Sequence, residues 1–106
     1  MMSGTLILAE GTEWSASSGL FNWVVEYLAN HVRDEHTRAA LRQVYEHDFR
    51  WLDVSDLRPD GQAEVLALLR DAVVQHTEEN LPDTPVRAEA VALVRQLAGM
   101  AGAPPA

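Results

Sequence analysis

The apolar positions of the chain change period several times, and each change predicts an element. Thr5–Ala9, "TLILA", is a short apolar run bounded by Gly4 and Gly11 and predicts a buried strand. "EWSA" at 13–16 alternates weakly and predicts a return strand across the turn "EGT". From Ser17 the period lengthens. Leu20, Trp23, Val24, Tyr27, Leu28, His31 and Val32 recur at three- and four-residue intervals, as on one face of a helix, with Ser17 or Ser18 placed to cap it.

A second helix is expected from Asp34, whose carboxylate caps it. Its inner stripe is Ala40, Leu41, Val44, Tyr45 and Asp48, with Arg38 and Arg42 toward water. Alternation returns at "RWLDVSDL", where Trp51, Asp53 and Ser55 oppose Leu52 and Val54, predicting a strand over 50–55 that pairs with the first. Pro59 suits the first position of a third helix, where its missing N–H has no partner to lose. Val65, Leu68, Leu69, Ala72, Val73 and His76 form that helix's inner face. "LPDTP" interrupts it. Thr84 then caps a fourth helix with Pro85 at its first position and Val86, Ala90, Val91, Val94 and Leu97 inward.

These elements give an α+β fold in the order β(β)ααβαα, a small two- or three-stranded sheet covered by about four helices. Residues 1–98 form a single compact domain, and "GMAGAPPA" predicts a flexible C-terminal tail over 99–106.

Composition narrows the function. A chain of 106 residues, 47% hydrophobic, can bury a core without staples. The absence of cysteine excludes disulfides, thiolate metal sites and thiol nucleophiles. No apolar run approaches the roughly 20 residues that cross a bilayer, and the amino end lacks the pattern of a secretory signal, so a cytoplasmic location is expected. There is no lysine, and eight arginines face sixteen acids for a net charge of −8. That field disfavours nucleic acid and anionic membranes and favours a basic protein partner.

Candidate chemistry is thin. His31, His36, His47 and His76 lack metal-binding spacing, and neither a metal nor another cofactor is expected. "SASSG" before a helix lacks the phosphate-loop pattern and reads as capping. Asp53 on a strand is a candidate interior acid, but no catalytic constellation forms around it.

The anomaly is "HTEENLPDTP". Glu78 and Glu79 stand at a helix C-terminus, where the helix dipole disfavours acids, and no arginine lies three or four residues earlier. Either the helix ends by Thr77 and the glutamates are loop, or Glu78, Glu79 and Asp83 form an acidic rim for a basic partner. Asp53, Asp56 and Asp60 are a second acidic set, and Trp14, between polar neighbours, is the expected aromatic anchor.

In size, charge and lack of a catalytic motif the chain is similar in type to small bacterial immunity proteins and antitoxins, which bind a toxic, often basic enzyme and block its active site. The likeness implies a masking inhibitor of a basic partner such as a toxin, and carries no residue across. The alternative is a homo-oligomeric accessory protein that self-associates through the fourth helix or a sheet edge at 5–9. A small metal- or ligand-dependent enzyme stands third.

Overall fold

The computed structural model describes residues 3–9, 11–47 and 49–102. The first apolar alternation forms β1 (Ser3–Ala9) and β2 (Thr12–Ser17), an antiparallel hairpin in which Leu6 lies opposite Trp14. Gly11 in its turn has φ +80°, a conformation that favours glycine. α1 (Ser18–His31) and α2 (Glu35–Glu46) follow, then β3 (Trp51–Asp53), which lies parallel to β1 with Leu52 beside Leu6. A parallel pair needs a long crossover, and the two helices supply it.

The strand order is therefore β2-β1-β3. The expected self-interface at a sheet edge over 5–9 is corrected by this order, because β1 is the central strand and the edges belong to β2 and β3. The strand expected over 50–55 is also shorter. Asp53 turns its carboxylate back to accept from Ser55 N at 2.9 Å and Ser55 Oγ at 2.6 Å, converting Val54–Asp56 to a turn of 3-10 helix.

Alternation leaves Leu6, Leu8, Trp14, Ala16 and Leu52 buried on one face of the sheet. α1 packs there with Leu20, Phe21, Val24, Val25 and Leu28. Phe21 occupies the space that a side chain at position 4 would need, so Gly4 sets the close approach of α1 to β1. Ser17 caps α1 by accepting from Leu20 N at 3.3 Å. Asp34 caps α2 by accepting from Thr37 N at 2.9 Å.

α3 (Pro59–Asp71) begins at the expected proline. The expected single helix through His76 breaks at Ala72, whose φ of −131° leaves the helical range, and α4 (Val73–Asn80) follows, with Val73 and Thr77 as its buried residues. α5 (Arg87–Gly102) begins later than expected. Arg87 N bonds Thr84 O at 3.0 Å, closing a turn over 84–87 instead of a cap, and Val86 is left 62% exposed. The helix also runs through 99–102, correcting the expected start of the tail. Met100 and Ala101 continue the stripe of Val94 and Leu97 and pack on the core, so burial outweighs the low helix propensity of the glycines. Residues 103–106 and Asp48 lie outside the described residues. No described helix is long and apolar enough to cross a membrane.

Among the described residues, the buried polar side chains are Thr37 and Thr77, and both are hydrogen-bonded. Thr37 Oγ1 donates to Asp34 at 2.6 Å, and Gly61 of α3 packs against the same hydroxyl with no room for a β-carbon. Gly61→Ala is therefore expected to destabilise the fold by about 1–3 kcal/mol. Gly19→Ala, which meets open space, should not lose stability. Urea denaturation of the two variants tests the contrast.

Candidate functional site

Glu78 and Glu79 lie inside α4, which corrects the reading of them as loop. Contacts from elsewhere in the chain explain why the helix tolerates them. The Arg95 guanidinium of α5 bridges Glu78, and Arg87 donates to the Glu78 carbonyl at 2.6 Å, bringing positive charge to the helix's negative end. Glu79 accepts from Gln75 Nε2 at 2.9 Å, and Asn80 Nδ2 donates to His76 O at 3.0 Å. Glu78 is thus committed to α5, while Glu79 and Asp83 remain exposed.

Trp14 is not an exposed anchor. It is 2% exposed and donates Nε1–H to Leu93 O at 2.9 Å, because the hairpin register places it on the helix-covered face beside Leu6. The exposed aromatics are Phe49, at 58%, and Trp51, at 49%. The His47 ring stacks on Phe49 with centroids 5.6 Å apart. Between the two aromatics, Arg50 has φ 57°, uncommon for a residue with a β-carbon, and its carbonyl accepts from Thr5 N at 3.0 Å to start the pairing with β1.

The outer sheet face reads in two rows. Trp51, Thr5 and Ser15 cross the three strands in one, and Asp53, Ile7 and Glu13 in the next. Thr5 and Ser15 hydroxyls meet at 3.3 Å in an exposed contact. Asp53 is half-buried and already spends an oxygen on Ser55, while Asp56 and the first-turn Asp60 of α3 are exposed just beyond. The second acidic set therefore lies along one ribbon, from the aromatic edge into α3. The Glu79–Asp83 region belongs to α4 and the loop after it.

Two histidines that spacing kept apart are brought together by α1 and α4. Tyr27 lies between their rings, 4.2 Å from His31 and 4.4 Å from His76, and Trp23 is 5.4 Å from His76. The histidine rings are 6.2 Å apart. Trp23 Nε1–H reaches Thr77 at 3.2 Å, tying the helices together. No group of three His, Cys, Asp or Glu suited to a metal occurs among the described residues.

Burial holds the His76 pKa below its ordinary value, the nearby His31 adds to this, and Glu79 opposes it. Burial raises that of Tyr27. The groups facing His76 are Glu26, Tyr27 and His31 of α1 and Glu79 of its own helix. A histidine that resists protonation when folded binds fewer protons than the unfolded chain. Its contribution is present above about pH 6.5 and is lost as pH falls through the lowered folded value. Stability measured by denaturation between pH 7 and 5 should fall with pH, and His76→Gln should flatten that fall.

Compared with protein families, curated proteins and solved structures, the chain has no significant match to any of the three.

Proposed function

We propose that the chain is an acidic protein-binding module that docks a basic protein through the outer face of its sheet and masks it, in the manner of an immunity- or antitoxin-type inhibitor. The observation that carries this reading is the exposed pair Phe49 and Trp51, Trp51 on the edge strand β3 and Phe49 two residues before that strand, in a molecule whose other tryptophans are packed. Large exposed aromatics are costly to leave in water and supply much of the affinity of protein interfaces when a partner buries them.

The surrounding charge gives the partner its sign. Asp53 and Glu13 flank the same face, and Asp56 and Asp60 follow on the ribbon. With the net charge of −8 they speed encounter with a positive surface, while the aromatics slow its departure. Masking is then steric: the sheet face covers the partner's functional surface, and the carboxylates occupy sites that its own anionic substrate would use.

The short open edge of β3 favours a second reading, in which another copy of the chain pairs there. Sedimentation of the isolated protein separates the two, since masking expects a monomer and self-association a dimer lost on Trp51→Ala.

Capture from the native cells, with the wild-type chain as bait, tests the first reading. The expected prey is a basic protein whose association slows as salt is raised. Phe49→Ala with Trp51→Ala should weaken capture by about 30-fold or more, the equivalent of a 2 kcal/mol hot spot. Prey retained equally by that variant, or prey that is acidic, overturns the proposal. Circular dichroism of the variant checks that the exposed substitutions leave the fold intact.

A further inference from the structure

A groove of about 290 Å³ runs between α1 and α4, away from the sheet face, lined by Trp23, Glu26, Tyr27, Asn30, His31, His76 and Asn80. A second hollow shares Tyr27, His31 and His76 with it and is bounded by Ala72, Gln75 and Glu79. Its floor is a run of flat rings, and its hydrogen-bonding groups can be assigned one by one.

His31 Nδ1 lies 2.8 Å from Tyr27 O. A carbonyl oxygen only accepts, so Nδ1 carries a proton, and in the neutral form of the His31 ring Nε2 is the acceptor. Asn80 Nδ2 donates to His76 O, which fixes the orientation of the amide, and lies 3.2 Å from His76 Nδ1. The same Nδ2 therefore donates to that ring nitrogen, and Asn80 Oδ1 is left free. The Glu26 carboxylate and the Asn30 side chain make no hydrogen bond among the described residues. The groove thus offers acceptors from Glu26, Asn30, His31 and Asn80 around aromatic faces, with a second carboxylate, Glu79, in the adjoining hollow.

We propose that this groove binds a guanidinium group. A guanidinium is planar, weakly hydrated and rich in N–H donors, stacks on aromatic rings and pairs with carboxylates. A compact ammonium would use the carboxylates but waste the flat floor. An anion would meet the Glu26 and Glu79 carboxylates with no arginine among the lining residues. The group can arrive as a free guanidino compound or as an arginine side chain of a basic protein. Only the second source rests on the protein-binding reading above.

The test is a titration of the 106-residue chain, labelled at histidine and tryptophan, followed by NMR. The probes are agmatine, N-acetyl-arginine-N-methylamide and the matching citrulline derivative, which keeps the shape but loses the charge. Both guanidinium probes should give saturable shifts at His31, His76 and the Trp23 indole and leave Trp51 unmoved, and the citrulline compound should give none. Glu26→Gln, an exposed change, should weaken binding. Preference for agmatine identifies a free compound as the source, and preference for the capped arginine identifies a protein side chain. Absence of saturable shifts, or equal shifts with the citrulline derivative, overturns the proposal. Because the reporters for this groove and for Trp51 are separate, its failure leaves the sheet-face interaction to be judged on its own capture result.

Discussion

The contact of Phe21 with the glycine at position 4 determines where α1 lies, and the placement of α1 determines both surfaces of interest. A β-carbon on Gly4 would push the helix off the central strand. With the helix seated, Leu20, Val24 and Leu28 join Phe21 in the core. The helices cover the inner face, and the outer face is left with its aromatic edge. The flank of α1 bearing Trp23, Tyr27 and His31 then meets α4. One close approach of backbone to ring therefore sets the uncovered sheet and the helix groove together.

The acids at the end of α4 illustrate how a local rule can fail for a structural reason. From the sequence, Glu78 is unfavourable, since nothing within a turn neutralises it. In the fold, Arg95 and Arg87 arrive from α5 and act on the same residue through its carboxylate and its carbonyl. An exposed ion pair of this kind contributes only about 0–1 kcal/mol. That is comparable to the dipole cost it offsets. The anomaly therefore explains how α4 is held against α5 more directly than it marks a binding patch.

Local signals made much of the fold legible. The caps at Ser17 and Asp34, the start of α3 at Pro59 and the apolar stripe of α1 depend on residues within a turn of each other. Strand order was not legible, because nothing within β1 or β3 states which side of β1 the crossover reaches. The break at Ala72 has no proline or glycine to announce it and follows from packing. Trp14 was misplaced because its parity relative to Leu6 is fixed by the hairpin register and not by its polar neighbours. Trp51 carried a usable signal: alternation already grouped it with Asp53 and Ser55, opposite Leu52 and Val54, and a tryptophan on the polar side of a strand is the exception to explain. The meeting of His31 and His76 required the packing of two helices distant in sequence.

The fold's own use of carboxylates preserves the negative field. Asp34 accepts from Thr37, Asp53 from Ser55, and Glu64 from the backbone amides of Arg33 and Asp34, at 2.9 and 3.4 Å. In each case the neighbour is a neutral donor, so the acid serves the structure without being discharged. The hydrogen bonds from Thr37 hold the Asp34 carboxyl below its usual pKa, which keeps its charge on even as the medium becomes acidic. Cationic partners reach Glu46, Asp71 and Glu78, in exposed pairs. A fold that recruits its acids through backbone amides and hydroxyls retains most of its surplus charge. That charge acts over a Debye length, while the aromatic edge and the ring-floored groove act only at contact. Attraction and selection are thereby assigned to different parts of the same small surface.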